Sequence, residues 1–343
     1  MERAYPTRQH QDLEDFLSRV VEGGGGRVRR LPGDLCSSLT VVGLSPQLPV
    51  TPAKMVRAAC KTLILTGLGA VLLAWYWGES FDPARVSGAK VLLTGASAGI
   101  GEQMAYHYAR LGAHIVLTAR REAVLQRVAE TCRTLGPGKI HYVAADMALP
   151  DQPERVVQFA LQKLGGLDYL VLNHIGDSPY RLWDGNVAHL HWLLQVNFLS
   201  YVQLASKALP TLTKSKGSVI VVSSLLGRIP TPFSTSYTAC KFALDGFFGS
   251  LRHELALRKA DVSITVCILG LVDTESAMGK VRGVVDYTAS PAPEAALAIV
   301  KGGALRAYNI YYPPHLQLLT LIRDWFPRHR DWLILKQFNH SAP

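Results

Sequence analysis

The sequence predicts an α/β fold built on a doubly wound parallel sheet. From Lys90 onward, short apolar runs rich in Val, Ile and Leu alternate with longer stretches of helical periodicity. Continuous apolar runs are typical of strands buried on both faces, and their alternation with helices is typical of parallel sheets. The chain has 343 residues, of which 48% are hydrophobic and 18% charged, so it can bury the core that this fold requires.

Six apolar runs predict the strands of this sheet. Helical stretches such as GEQMAYHYARLG and REAVLQRVAETCRTLG separate them. The predicted strands, in chain order, are KVLLTG, HIVLTAR, IHYVAAD, LDYLVLN, GSVIVVSS and VSITVCIL.

The charge and the cysteines narrow the class of function. The formal net charge is +10, but the basic residues are scattered, without a long Lys/Arg run or zinc-ligand spacing. This distribution indicates affinity for an anionic cofactor and a membrane surface rather than for nucleic acid. The five cysteines are odd in number and widely spaced, so they predict no disulfide framework, and His and Cys show no metal-binding pattern.

The first part of the chain differs in composition from the rest. Residues 1–54 contain EGGGGRVRRLPGD and LSPQLPVTP, and this richness in Gly and Pro predicts a disordered extension. The sixteen residues from Thr62 to Trp77 then carry no charge, which corresponds to a helix of about 24 Å. Met55, just before this run, offers an alternative start of translation.

The flanks of the apolar run predict its orientation. Lys54, Arg57 and Lys61 precede it, and three aromatic residues close it. The segment 55–80 therefore predicts a signal-anchor with the folded domain in the lumen of the endoplasmic reticulum. A cleaved signal peptide, which would give a secreted protein, and a buried core helix stay open.

The last part of the chain, residues 313–343, predicts an amphipathic segment. LQLLTLIRDWFPRHRDWLILKQF mixes apolar, aromatic and basic residues. An interfacial helix pair, a subunit contact and an ordinary core helix all fit this pattern.

The turn after the first strand predicts a dinucleotide site of the Rossmann type. In VLLTGASAGIGEQMA, Gly95, Gly99 and Gly101 follow an apolar strand and open a helix. Such glycines let the backbone approach a pyrophosphate, which binds at the helix N-terminus.

Residues at the ends of the following strands predict which dinucleotide binds. Arg120 and Arg121 stand where an NAD site would place a carboxylate, and a guanidinium there suits a 2′-phosphate, which favours NADP(H). Asp146 is positioned to meet an adenine edge, and Asn173 lies at the strand end after LDYLVL.

The segment SYTACKFAL places Tyr237 and Lys241 on one face of a helix, because they are four residues apart. Ser224 ends the strand thirteen residues before Tyr237. Hydride transfer to a carbonyl needs a proton donor, and an ammonium near a tyrosine lowers the pKa of the phenol. The three residues together predict an alcohol–ketone oxidoreductase site.

The chain from about 85 to 312 resembles the short-chain dehydrogenase/reductase family, and within it the 11β-hydroxysteroid dehydrogenase type 1 group. The segments QVNFLSYV, VVSSLLG, CKFALDGFFGSLR, ILGLVDTESAM and KGGALR carry the resemblance. One departure is NHIG, which keeps Asn173 and Gly176 of the family's NNAG but has His174 second.

The resemblance implies a role for each matching residue. Tyr237 would be the acid/base, Lys241 would bind the nicotinamide ribose, and Ser224 would hold the substrate oxygen. Asn197 would support a proton-relay water. Leu226 and Thr231 would face the substrate, at positions where the type 1 steroid enzyme has Ala and Tyr. The expected cofactor site comprises Gly95, Ser97, Gly99, Ile100, Gly101, Arg120, Arg121, Asp146, Met147, Asn173, Tyr237, Lys241, Val272 and Thr274.

We therefore expect an NADP(H)-dependent, membrane-associated oxidoreductase that acts on an apolar substrate, with a steroid as the candidate. The family's frequent dimers imply a homodimer. The alternative function is a lumenal NADP(H)-binding partner or scaffold with little turnover.

Overall fold

The computed structural model describes residues 61–63, 66–67, 69, 80–281, 284 and 288–338. The predicted extension 1–54 and most of the predicted segment 55–80 lie outside the described residues. The chain divides into two units, residues 1–76 and 77–343. In the first unit, residues 61–63 and 66–67 are helical. Within the described parts of the chain, no helix combines the length and apolar character needed to cross a membrane.

The second unit is built on a seven-stranded sheet in which every neighbouring pair is parallel. Its order is β3-β2-β1-β4-β5-β6-β9, and two short strands, β7 and β8, pair separately. The strands are β1 Lys90–Thr94, β2 His114–Ala119, β3 Ile140–Ala144, β4 Tyr169–Leu172, β5 Ser218–Val222, β6 Ser263–Leu269, β7 Val272–Asp273, β8 Ser290–Pro291 and β9 Asn309–Tyr312.

Helices connect the strands and cover both faces of the sheet. They are α1 Gly99–Arg110, α2 Glu122–Leu135, α3 Gln152–Leu164, α4 Val187–Leu194, α5 Ser200–Ser215, α6 Thr235–Leu257, α7 Glu275–Val281, α8 Ala292–Ala304, α9 Leu316–Ile322 and α10 Pro327–Gln337.

Alternate residues of each strand feed two separate cores. In β1, Val91 and Leu93 pack with buried residues of α1, α2 and α8, whereas Leu92 packs with those of α3, α5 and α6. Successive side chains of a strand point to opposite faces, so continuous apolar runs fill both layers. The predicted doubly wound α/β fold is confirmed.

All six predicted strands are present, and the sequence analysis missed β9. Its four residues, NIYY, are only partly buried at the edge of the sheet, so they lack the long aliphatic run of a central strand. The two-residue strands β7 and β8 are too short to give a pattern of their own.

The strand order places the site. It reverses between β1 and β4, because β1 lies between β2 and β4. Ligands in open parallel sheets bind outside the carboxyl ends of the strands at such a point. The residues that follow β1, β4, β5 and β6 therefore meet at one edge.

Candidate functional site

The glycine turn after β1 approaches β4 too closely for larger residues. Gly95 has a φ of +66°, and a Cβ there would lie 2.7 Å from the Cα of His174. A Cβ on Gly101 would lie 2.0 Å from the carbonyl oxygen of Gly95. Helix α1 begins at Gly99 without a side-chain cap. Its first backbone N–H groups can therefore bind an anion, which fits the pyrophosphate of a dinucleotide.

Asn173 holds this turn against β4. Its side-chain Nδ2 donates to the carbonyl oxygens of Thr94 and Gly95, both at 3.2 Å, and its backbone N–H donates to Thr94 Oγ1 at 2.9 Å. On the other side, a Cβ on Gly99 would lie 2.9 Å from Thr274 Cγ2. The turn is thus enclosed between the ends of β4 and β7.

Arg120 and Arg121 are exposed at the end of β2. A guanidinium nitrogen of Arg121 donates to Ser97 Oγ in the glycine turn at 3.4 Å. The structure therefore brings Arg121 and Ser97 together where the sequence predicts the dinucleotide.

Asp146 and Met147 follow β3 and have different surroundings. The carboxylate of Asp146 accepts a hydrogen bond from the backbone N–H of Ala148 at 3.0 Å. Met147 is buried in the core between the sheet and α3. Neither side chain lines the cavity described below.

Tyr237 and Lys241 lie on the first turns of α6, and Lys241 is 1% exposed. The Lys241 ammonium donates to the carbonyl oxygen of Val222 at 2.8 Å and lies 5.5 Å from the centre of the Tyr237 ring. It also lies 5.8 Å from the centre of the Tyr201 ring. Among the described residues it forms no ion pair with a carboxylate.

Burial shifts the pKa values of both residues. It lowers the pKa of Lys241 to about 8 and raises the pKa of Tyr237 to about 12. A hydrogen bond with Ser224 lowers the pKa of Tyr237, but this effect is smaller than the increase that burial causes. The sequence analysis expected the neighbouring ammonium to lower the pKa of the phenol. In the structure the pKa of Tyr237 is raised instead, because desolvation of the phenolate is the larger effect.

Ser224 begins the one-turn 3₁₀ helix Leu225–Gly227 directly after β5. Its Oγ accepts a hydrogen bond from the backbone N–H of Leu226 at 3.2 Å. This capping contact fixes Ser224 at the strand end while leaving its hydroxyl hydrogen available to donate.

Asn197 lies in a π-helical turn, Gln195–Leu199, between α4 and α5. Its side chain is fully buried, and its Oδ1 accepts from the backbone N–H of Gly176 at 2.6 Å. Its Nδ2 has no hydrogen-bond partner among the described residues. Buried polar atoms are rarely left without a partner, and π-turns are frequent at functional sites.

A cavity of about 470 Å³ opens at this edge of the sheet. It brings together nine of the predicted site residues: Ile100, Asn173, Ser224, Leu226, Thr231, Tyr237, Lys241, Val272 and Thr274. The other predicted residues do not line it: Gly95, Ser97, Gly99, Gly101, Arg120, Arg121, Asp146, Met147 and Asn197.

The sequence analysis missed two features of the site. The C-terminal segment closes the cavity with Leu316, Leu319, Ile334 and Phe338, and only its mixture of apolar and aromatic residues gave a signal. His174, which the resemblance marked only as a departure, lies at the centre of a buried hydrogen-bond network.

The two ring nitrogens of His174 have different partners. Nδ1 lies 2.9 Å from Thr94 Oγ1, and Nε2 lies 2.7 Å from Ser200 Oγ and 3.1 Å from the Val196 carbonyl oxygen. Tyr201 donates to the His174 carbonyl oxygen at 2.7 Å. Burial lowers the pKa of His174 to about 3, so the imidazole is neutral at pH 7.

Comparisons with known proteins define the class. Residues 89–283 match the profile of the short chain dehydrogenase family. With the parallel sheet and the site residues at its carboxyl edge, this match shows that the chain belongs to the short-chain dehydrogenase/reductase family of oxidoreductases.

Within that family, the chain is similar to proteins named hydroxysteroid 11-beta-dehydrogenase 1-like. The protein from Macaca fascicularis is 61% identical over 82% of this chain and 98% of its own length. The one from Gallus gallus is 60% identical over 84% of this chain and 100% of its own. The one from Danio rerio is 56% identical over 81% and 98%.

Solved structures share the fold. A short chain dehydrogenase/reductase from Burkholderia phymatum in complex with NAD has a TM-score of 0.63 at 20% identity, covering 76% of this chain and 98% of its own. A short chain dehydrogenase from Burkholderia cenocepacia in complex with NADP has a TM-score of 0.59 at 25% identity, covering 66% and 97%.

Proposed function

We propose that this protein interconverts a secondary alcohol and a ketone on an apolar, steroid-like substrate, with NADP(H) as cofactor. The observation that carries the proposal is the convergence of Ser224, Tyr237 and Lys241 on one apolar cavity, at the edge of the sheet that also carries the glycine turn.

Tyr237 is the proposed proton donor and acceptor. The hydride would come from, or pass to, a nicotinamide bound beside Tyr237 and Lys241. Because burial raises the pKa of Tyr237, the phenol keeps its proton at neutral pH and can donate it to the alkoxide that develops when a ketone is reduced. In the oxidative direction, the Lys241 ammonium, 5.5 Å from the ring centre, would stabilise the phenolate that must form.

Lys241 is the proposed contact for the ribose. A buried ammonium is unfavourable unless polar partners surround it, and the Val222 carbonyl oxygen is the one hydrogen-bond acceptor that the described residues provide. An ammonium has three donors, so two are left for ligand hydroxyls. This supports the role that the family resemblance implies.

Ser224 and Asn197 complete the proposed machinery. Ser224, whose Oγ already accepts from the Leu226 N–H, hydrogen-bonds Tyr237 and can donate the same hydroxyl hydrogen to a bound substrate oxygen instead. Asn197 has a buried Nδ2 that can hold a relay water near the π-turn.

The preference for NADP(H) rests on Arg120 and Arg121. Both are exposed at the end of β2, and Arg121 reaches the glycine turn through Ser97. Two guanidinium groups favour a 2′-phosphate, whereas a carboxylate there would repel it. The NADP complex of the Burkholderia cenocepacia protein supports this choice by similarity.

The proposed substrate class follows from the cavity. A volume of about 470 Å³ lies within the range of ~300–1,000 Å³ usual for small-molecule sites. Apolar side chains such as Leu226, Leu271 and Phe338 line much of it, and Ser224 and Tyr237 are among its polar groups. The name of the similar proteins points to a hydroxysteroid, and the cavity would accept other apolar carbonyl compounds of that size.

We further propose that the apolar run 62–77 anchors the protein with its catalytic unit in the lumen of the endoplasmic reticulum. The basic residues before the run support this orientation. Protease protection in sealed microsomes tests it. Digestion from outside would reverse the orientation, and release of a shortened form into the medium would show a cleaved signal.

The catalytic proposal is tested with Tyr237→Phe. A panel of apolar ketones is offered with NADPH, and oxidation of NADPH is followed by absorbance. Loss of a general acid typically lowers the rate about 10²–10⁴-fold, while NADPH binding should stay nearly unchanged. Tyr106→Phe is the matched control, because the Tyr106 hydroxyl donates to Glu102 on α1 and Tyr106 does not line the cavity. Undiminished turnover in Tyr237→Phe would refute the mechanism.

A further inference from the structure

One ion pair joins two distant segments of the chain that both line the cavity. Gly176 and Ser178, in the segment between β4 and α4, contribute to the cavity wall, and so do Ala277 and Lys280 of α7. The Lys280 ammonium lies 2.7 Å from the carboxylate of Asp177. The Asp177 side chain is 77% exposed and does not line the cavity, so the ion pair bridges the two segments at the rim.

Helix α7 depends on this bridge for its position. None of its residues, Glu275–Val281, is buried, so the helix belongs to neither core. Among the described residues, the contact with Asp177 is the one hydrogen bond or ion pair that links α7 to a distant segment. A helix without buried side chains gains little from tertiary packing, so a single polar contact can decide where it lies.

The bridge lies beside the path of the proposed dinucleotide. Thr274, directly before α7, is close to the glycine turn, since a Cβ on Gly99 would lie 2.9 Å from Thr274 Cγ2. Lys280 lowers the pKa of Asp177 through its hydrogen bond and its charge, and the charge of Arg120 acts in the same direction. Asp177 is therefore near both cations. A dinucleotide that reaches from Arg120 into the cavity must pass beside the bridge.

We propose that Asp177 and Lys280 are positioning residues whose ion pair holds α7 over the bound dinucleotide and thereby slows its release. The inference rests on the dinucleotide site of the proposed function, but not on the preference for NADP(H) or on the substrate. An exposed ion pair adds little to global stability. Here it acts on a helix that no buried side chain fixes, so its loss lets α7 move away from the rim.

A direct effect of charge on the cofactor would give a different result from a bridge. The dinucleotide is anionic, so a positive charge added at the rim would slow its release and a negative charge would speed it. Loss of the bridge speeds release whichever partner is reversed. The two explanations therefore predict opposite results for Asp177→Lys.

The test measures the rate of cofactor release from the full chain by stopped flow. Bound NADPH is displaced by excess NADP⁺ while its fluorescence is followed, and the experiment is repeated with NADH and NAD⁺. The variants are Asp177→Lys, Lys280→Asp and the two changes together. Arg181→Asp is the matched control, because it reverses a charge in the same segment, in the exposed ion pair with Asp184, and does not line the cavity.

Each single change should raise the release rate about 3–10-fold, because repulsion replaces attraction, and the double change should return it to within about two-fold of the wild type. Arg181→Asp should leave the rate nearly unchanged. Urea denaturation should show similar stability for all variants, which separates positioning of α7 from a general loss of fold.

Slower release from Asp177→Lys would overturn the proposal, and so would a double variant that is no closer to the wild type than the single variants are. Unchanged release in both single variants would overturn this inference alone. A wild type that binds neither NADPH nor NADH would overturn the proposed function and this inference with it.

Discussion

Arg228 and Asp245 form an ion pair of 2.7 Å that joins the turn after β5 to helix α6. The turn carries Ser224 and Leu226, and the helix carries Tyr237 and Lys241. The ion pair is partly buried, with 19% and 29% of the two side chains exposed. It therefore ties the turn that carries the proposed substrate-orienting hydroxyl to the helix that carries the proposed proton donor.

We expect Asp245→Asn to weaken both stability and turnover. A partly buried ion pair such as Arg228–Asp245 should contribute about 1–2 kcal/mol to the free energy of unfolding. This contribution lies between those typical of exposed and of fully buried ion pairs. Urea denaturation measures the loss. Turnover should fall through kcat more than through KM, because the turn and helix would separate without closing the cavity.

The control for this prediction is the exposed pair of Lys207 and Glu154. Glu154→Gln should change the free energy of unfolding by less than about 0.5 kcal/mol and leave turnover unchanged. If Asp245→Asn behaves like Glu154→Gln, the ion pair has no positioning role.

Lys241→Met should stabilise the protein while abolishing turnover. Burial lowers the pKa of Lys241 from its ordinary 10.5 to about 8, which corresponds to on the order of 3 kcal/mol. The hydrogen bond to the Val222 carbonyl oxygen offsets about 1 kcal/mol of any gain. At pH 7, the free energy of unfolding of the variant should therefore be about 2 kcal/mol higher than that of the wild type. The variant should accordingly unfold at a higher urea concentration. Lys207→Met is the surface control.

The stability difference between wild type and Lys241→Met should depend on pH. Between pH 8 and 10.5, the unfolded chain binds the lysine proton while the folded protein releases it, so wild-type stability rises with pH. The difference in free energy of unfolding between Lys241→Met and the wild type should therefore become smaller as the pH rises from 8 to 10.5. A constant difference from pH 7 to 10.5 would show that Lys241 is not held in a desolvated site.

Replacing Arg120 and Arg121 together by Ala should weaken NADPH far more than NADH. The loss of a charge-assisted contact to a phosphate costs about 1.5–3 kcal/mol, or roughly 10–150-fold in Kd. Fluorescence titration with both cofactors measures it. Arg127→Ala, an exposed position on α2, is the control. An equal effect on NADH and NADPH would contradict the 2′-phosphate role.

His174→Asn should make the free energy of unfolding depend less on pH between pH 6.5 and 3. Because the pKa of His174 falls to about 3, the unfolded chain binds a proton between pH 6.5 and 3 that the folded protein does not. Wild-type stability therefore falls as the pH drops through this range. The variant should be less stable at pH 7, since Ser200 and Thr94 lose a partner, and it should lack this slope. His191→Asn, an exposed position, should retain the wild-type slope.

The sequence alone determined the elements that depend on neighbours along the chain. Continuous apolar runs predicted β1 to β6, because strands buried on both faces need apolar residues at every position. The glycine spacing predicted the turn at Gly95, where the left-handed φ excludes most other residues. The four-residue spacing of Tyr237 and Lys241 placed both on one helix face.

Only the tertiary structure decided what depends on segments far apart in the sequence. Phe338 lines the same cavity as Ile100, and no local pattern links these positions. The partly buried edge strand β9 and the network around His174 likewise form through long-range contacts. The pKa shifts of Tyr237 and Lys241 also follow from burial, which the packing of distant elements sets. A sequence specifies spacing and side-chain chemistry directly, but desolvation and distance exist only once the chain has folded.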